Sequence, residues 1–256
     1  MATLVTIPFS HFCEKARWAL DYTGYDYVEE GHMPVLHRFA VWRATSPRTS
    51  VPVLVAGGHV FGDSTEILAH ADASARPERK LYPDDAARRA EVQSLEDDFD
   101  ERLGPHIRRV IYFYLLPNQD MARKVMDRGT PSWERATVRL LFPVMRRTMN
   151  RFMEIDARTA AQSRDEVLRT FDDVERRLGD GRPFLTGDRF TAADLTFAAL
   201  AGVAVFPPES EKAYPSIFSL GGEVPQDALD LVRETQARPV GDFVRRIYRE
   251  HRGRPC

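Results

Sequence analysis

Cysteine is scarce in this chain: among 256 residues only Cys13 and Cys256 carry a thiol. Two residues so far apart build no disulfide framework and have no zinc-type spacing, which argues against a secreted disulfide scaffold and a cysteine-ligated zinc module. No metal is expected, and a reduced, cytoplasmic setting fits best. A surplus of one charge is also missing, since 36 basic residues face 38 acidic ones for a formal net charge of -2. Bulk electrostatics therefore gives no case for nucleic acid or an anionic membrane as partner. Long apolar runs are lacking too: "VIYFYLLP" at 110–117 falls far short of the ~20 residues that span a bilayer. The N-terminus shows no basic patch followed by an apolar core and a small-residue cleavage site, so no signal peptide is expected. What remains is a chain long enough to bury a real core, as one large domain or two ordinary ones.

The pattern of apolar residues favours two. Over residues 1–75 strand and helix signals alternate, whereas nearly everything after residue 84 reads as helix. Between them "SARPERKLYPDD" (74–85) breaks the periodicity with two prolines and a run of charge. This predicts a domain over 1–75, a linker over 76–84 and an all-helical domain over 85–256. In the first, "TLVTI" (3–7) is a strand, 11–23 is a helix with Phe12, Ala16, Ala19 and Leu20 at helical spacing, and "YDYVEE" (25–30) is a second strand. A helix over 35–44 follows. "VPVLVAGGHVFG" (51–62) reads as a hairpin turning at Gly57-Gly58, and 63–73 as a helix capped by Asp63 or Ser64. The order βαβ then ββα predicts a small two-layer α/β domain, with a right-handed parallel crossover before an antiparallel hairpin.

In the second half, Leu95, Phe99 and Leu103 stripe a helix that Gly104-Pro105 is expected to bend or interrupt. Val167, Leu168, Phe171, Val174 and Leu178 stripe another. The sharpest local signal is "FLTGDRFTAADLTFAALAG" (184–202), in which Thr191 and Asp194 fit the N-cap and N3 positions of a capping box and Phe190 and Leu195 form a hydrophobic staple. Such a box serves folding rather than chemistry.

The stretch that raises a chemical question is "SHFCEKAR" (10–17), where a hydroxyl, an imidazole and a thiol crowd a helix start. Taken with "TSVPVL" (49–54), "DST" (63–65) and "GDRFTAADL" (187–195), it makes the chain resemble the cytosolic glutathione S-transferase superfamily. The likeness spans both halves in the expected order, and 104–165 is the least distinctive stretch. It is nearest to the branch, including the omega and tau classes, in which a Ser or Cys opens the first helix. His11 stands where those relatives carry proline.

This resemblance implies a thioredoxin-like N-terminal domain followed by a helical bundle, and a detoxifying transferase that uses glutathione as co-substrate with no covalently bound cofactor. Ser10 takes the catalytic position, with the cysteinyl, γ-glutamyl and glycyl parts of glutathione distributed over His11, Arg38, Val51, Pro52, Asp63 and Ser64. Val51-Pro52 is expected in the cis form, presenting the Val51 backbone to the ligand. A small hydrophobic electrophile is the second partner, and a homodimer is the expected assembly, without nucleic acid or membrane.

The chemistry needs a thiolate, because a thiol with a pKa near ~8.5 is mostly protonated at neutral pH. A helix N-terminus contributes about 0.3–1 kcal/mol towards an anion and a hydrogen bond to a charged partner about 1.5–3 kcal/mol. Together they reach the ~2.7 kcal/mol that lowers a pKa by two units. Each residue also has a plainer reading. Ser10 and the Asp63-Ser64 pair serve equally as helix caps, Cys13 as a small core residue, Arg38 as part of a solvated face, and His11 as an exposed first-turn residue. In "RRVIYFYLL" (108–116), Tyr112, Phe113 and Tyr114, with Trp133 beyond them, either line an apolar co-substrate pocket or belong to the core. Two other functions stay open: a thiol-disulfide reductase or dehalogenase using Cys13, and a binding protein of the same fold without turnover. The thiol itself is glutathione or another of low molecular weight.

Overall fold

The computed structural model describes residues 1–44, 49–212, 215 and 224–252. Cys256 lies outside them. Short apolar runs form strands and amphipathic ones form helices in the order the periodicity predicts: β1 (Ala2–Thr6), α1 (His11–Thr23), β2 (Tyr27–Gly31), α2 (His37–Arg43), β3 (Val53–Ala56), β4 (His59–Phe61) and α3 (Ser64–Ala73). The sheet runs β2-β1-β3-β4, with β1 and β2 parallel and the other neighbours antiparallel. Gly57 and Gly58 take φ of 57° and 82° at the tip of the β3–β4 hairpin, a left-handed pair that the tight turn demands. Gly24, in the left-handed region with φ 73°, ends α1 by donating its N–H to the last carbonyls. This is the thioredoxin-like arrangement.

Register decides what lies near what. Thr6 pairs with Gly31, Val5 with Val53, and Leu54 with Phe61. The exits of β1, β2 and β4 and the entry to β3 therefore share one edge of the sheet. The chain leaves that edge into α1, α2 and α3, and returns to it through Pro52.

A short 3-10 turn, Pro77–Arg79, leads into the helical half: α4 (Ala86–Asp98), α5 (Gly104–Leu115), α6 (Gln119–Met126), α7 (Ser132–Phe152), α8 (Ala157–Leu178), α9 (Ala192–Val205), α10 (Gln226–Ala237) and α11 (Pro239–His251). The expected interruption near Gly104-Pro105 takes the form of a π-helical turn over Phe99–Leu103, after which Gly104 and Pro105 open α5. Gly104 is required there by contact: a Cβ on it would lie 2.2 Å from Cζ of Phe12 in α1.

α9 is buried along its whole length. Its start is held by Asp194, whose carboxylate accepts the N–H of Thr191 at 2.9 Å and of Leu185 at 2.7 Å. The principal core runs without a break from Phe9, Trp18 and Leu68 to Phe171, Phe197 and Tyr248, so the two halves share it. The last helix is tied back to the first: Trp18 Nε1 donates to the His251 carbonyl at 3.1 Å, and Arg252 pairs with Glu14 at 2.7 Å. Among the described residues no helix is long and apolar enough to cross a membrane.

Candidate functional site

The sheet edge defined above collects most of the residues singled out in the sequence. Ser10 caps α1 with φ -79° and ψ 128°, its backbone carbonyl accepting the Glu14 N–H at 2.9 Å. Ser10 Oγ accepts from the Cys13 N–H at 3.5 Å, a long and weak bond. An N-cap uses the hydroxyl only as acceptor, so the O–H proton is free to be given to an anion. The other first-turn amides of α1 point the same way without intrahelical partners. Val51-Pro52 is a cis peptide bond at the entry to β3.

Asp63 is the N-cap of α3, accepting from the Thr65 N–H at 2.9 Å, and Ser64 beside it is buried. Lys15 reaches from α1 to Thr65 Oγ1 at 2.9 Å and holds these two helix starts together. Arg38 lies on the exposed side of α2, which leaves the same edge.

Beside Ser10 opens a cavity with about 1070 Å³ of atom-free space, its mouth included, between the end of β1, α5, α9 and α10. Phe9, Ser10 and His11 form its floor, and Ile107, Ile111, Leu115, Val203 and Leu231 are among its apolar walls. Tyr112 lines it, as does Tyr114. Phe113 is not among the lining residues, and Trp133, 60 % exposed, stands away at the start of α7. The reason is helical phase: 108, 111, 112 and 115 share the face of α5 turned to the cavity, whereas 113 points elsewhere.

One reading of the first turn changes with the structure, that of His11, while Cys13 sits as the small core residue its plainer reading expected. His11 is not exposed. It is buried at 4 %, because α5 crosses over the start of α1, and its Nε2–H donates to the Gly104 carbonyl at 2.9 Å. Burial, with the Arg108 charge second, pulls its pKa down to about 3, so the ring is neutral in the physiological range. Cys13 is fully buried on the side of α1 that packs on the sheet. Burial pushes its thiol up to about 11 despite the Arg17 charge nearby.

Sequence reasoning did not single out two further groups. The first is Arg108, which was visible only as part of an aromatic, basic stretch and which turns towards the cavity from α5. The second is a buried cluster of Lys15, Glu96 and Asp100, with Lys15 Nζ 2.8 Å from Glu96 Oε1 and 2.6 Å from Asp100 Oδ2. Its partners are 81 and 85 positions apart in the chain, a separation that leaves no local pattern. Among the described residues no group of three or more His, Cys, Asp or Glu side chains is placed to hold a metal ion.

Comparison with known proteins adds the following. Residues 4–79 match the family model described as glutathione S-transferase, N-terminal domain, and residues 153–219 match glutathione S-transferase, C-terminal domain. Among solved structures the chain is similar to a glutathione S-transferase from Sinorhizobium meliloti 1021, with 20% identity and a TM-score of 0.59 over 100% of this chain and 95% of that one. It is similar to the beta-etherase LigF from Sphingobium sp. strain SYK-6, with 16% identity and a TM-score of 0.61 over 95% and 98% of the two chains. A theta class glutathione S-transferase from Xanthomonas axonopodis pv. citri, solved with glutathione bound, shares 19% identity with a TM-score of 0.55 over 94% and 95%. At such identities the structural likeness establishes the fold alone. Comparison with curated proteins finds no match.

Proposed function

Because the chain belongs to the glutathione S-transferase superfamily, its two family matches together covering more than half of its length, we propose that it is a glutathione transferase in which Ser10 stabilises the thiolate. The observation that carries this reading is the convergence on one sheet edge of the open α1 N-terminus, the cis Val51-Pro52 bond and the α3 N-terminus, with an apolar cavity next to Ser10.

In this reading glutathione lies along that edge. Its sulfur sits at the tip of α1, receiving the Ser10 O–H and the first-turn amides. Its cysteinyl backbone pairs with Val51, and its γ-glutamyl carboxylate meets Ser64 and the amides opening α3, with Asp63 near the ammonium. Arg38 is the candidate for the glycyl carboxylate. His11 positions the first turn through its bond to Gly104 and does not touch the ligand. The sulfur then attacks a hydrophobic electrophile held in the cavity, a carbon–sulfur bond forming as a halide leaves, an epoxide opens or an activated alkene takes up the charge. Holding both reactants in place supplies much of the acceleration.

Burial favours Ser10 over Cys13 as the working group. With its pKa pushed up to about 11, the Cys13 thiol is ionised in only about one molecule in ten thousand at pH 7. No open route to its sulfur is evident, since the residue is 0 % exposed.

The test is conjugation of chlorodinitrobenzene by the wild type, Ser10→Ala and Cys13→Ala. Losing a hydrogen bond to a charged sulfur costs about 1.5–3 kcal/mol, so Ser10→Ala is expected to lower kcat/KM by roughly 10- to 100-fold and to raise the pH at which bound thiol ionises. Cys13→Ala should retain turnover. Equal rates for wild type and Ser10→Ala remove Ser10 from the mechanism.

A further inference from the structure

The cavity beside Ser10 is mostly apolar, and one basic group in its wall has no hydrogen-bond acceptor among the described residues. Two arginines border it, Arg108 and Arg164. Arg164 is committed elsewhere, its Nη2 lying 3.0 Å from Glu234 Oε2. Arg108 has no carboxylate and no hydrogen-bond acceptor among the described residues. Its guanidinium stands 6.0 Å from the centroid of the Phe12 ring, within the field of the Tyr112 phenol, and Arg109 beside it adds a like charge. Burial and that neighbour hold its pKa below the ordinary arginine value, although the Tyr112 phenol pulls the other way.

A guanidinium carries five N–H donors, and leaving them half-buried without acceptors is costly. The other pocket walls are aliphatic or aromatic apart from Ser10, Arg164, Thr235 and the tyrosine hydroxyls, none of which accepts a hydrogen bond from Arg108, and the Phe12 ring face 6.0 Å away offsets only part of that cost. The α1 amides and the Ser10 hydroxyl do not call for Arg108 either, because they already complete an anion site for sulfur.

Resting on the transferase reading, we propose that this pocket takes an amphipathic acid as co-substrate: an apolar body against Ile107, Ile111 and Leu231, and a carboxylate or similar planar anion held by Arg108. The planar fork of arginine matches a carboxylate through two parallel hydrogen bonds, and the low polarity of the cavity strengthens them. A neutral electrophile of the same shape gains only the apolar wall. Phe12 fixes where the guanidinium sits, since its ring is wedged between the His11 ring at 4.7 Å and the space above Gly104. Arg108 is thereby held over the first turn of α1, near the end of the cavity where sulfur would react.

Calorimetry with 2-naphthoate and its neutral isostere 2-naphthamide tests this, on the wild type, Arg108→Gln and Arg108→Lys, with and without saturating glutathione. The wild type should bind the acid about 10- to 100-fold more tightly than the amide. Arg108→Gln should erase the preference while leaving amide affinity unchanged, which also reports an intact pocket, and Arg108→Lys should keep part of it. Equal binding of acid and amide by the wild type overturns the proposal, as does a preference that survives Arg108→Gln. A parallel loss of glutathione affinity in Arg108→Gln overturns it too, by assigning the arginine to the thiol. An Arg108-dependent preference in a protein that binds no glutathione sinks the transferase reading and supports the acid site on its own.

Discussion

Replacing Lys15 by Met removes the cation from a cluster that has two anions and no exposed amine. Lys15 and Glu96 side chains are 0% exposed and Asp100 is 20% exposed, and Asp100 Oδ1 has no hydrogen-bond partner among the described residues. Tyr82 donates to the far oxygen of Glu96, so that carboxylate is anchored and has no path to solvent. Without the lysine, two like charges remain buried together, and removal of one member of a buried pair costs about 3–5 kcal/mol.

The molecule has one relief, which bounds the loss: one carboxyl takes a proton. Asp100 is the candidate, because burial already raises its pKa above the ordinary aspartate value even with the Lys15 charge opposing. Protonating a carboxyl at pH 7, about three units above its unfolded pKa, costs roughly 4 kcal/mol, and each pH unit downward saves about 1.4 kcal/mol. The sign follows from linkage. In the variant the folded pKa lies above the unfolded one, so stability relative to wild type is greatest below the unfolded aspartate pKa and is lost as pH rises through the folded value.

Urea unfolding at pH 5 and pH 7 should therefore show a loss near 4 kcal/mol at pH 7 that shrinks to about 1–2 kcal/mol at pH 5. In Lys15→Met with Asp100→Asn the pH slope should shrink, because only one buried carboxyl is then left without a cation. A loss under about 1 kcal/mol, or one equal at the two pH values, refutes the reasoning, since an exposed pair behaves that way.

Three further outcomes follow from burial and close contact. With Cys256→Ser as background, iodoacetamide should alkylate native Cys13 very slowly below pH 9, with the rate rising only towards the folded pKa of about 11; ready reaction at pH 8 would refute the buried thiol. The same shift makes the Cys13 contribution to stability full below pH 9 and lost as pH rises from 9 to 11, readable as a thermal midpoint that falls more steeply than in Cys13→Ala. Gly241→Ala, in the first turn of α11, should lose about 1–3 kcal/mol by thermal unfolding although helix propensity alone predicts a gain near 1 kcal/mol. A Cβ there would stand 2.3 Å from the Thr235 carbonyl, which is backbone and has little room to yield.

Much of the architecture could be read along the chain because its signals are local. The Gly57-Gly58 hairpin, the Thr191–Asp194 capping box, the stripe ending at Leu178 and the alternation of strand and helix up to residue 75 each arise from residues a few positions apart. The residues of the candidate site are named through the family resemblance; local pattern shows only that Ser10, Pro52 and the Asp63-Ser64 pair mark where elements begin, and strand order then brings those beginnings to one edge. Phase on a helix is less legible: of Tyr112, Phe113, Tyr114 and Trp133, only Tyr112 and Tyr114 line the cavity.

What the sequence determined by itself, then, is the series of elements, their caps and the chemical types at their starts, since backbone preference and hydrophobic period act over one or two turns. Tertiary structure alone decided that His11 is buried and neutral, that Lys15 meets Glu96 and Asp100, and that Arg108 faces a mostly apolar cavity with no hydrogen-bond acceptor among the described residues. Burial and charge pairing depend on groups many tens of residues away, and it is burial that sets whether a titratable side chain is solvated, paired or left open for a ligand.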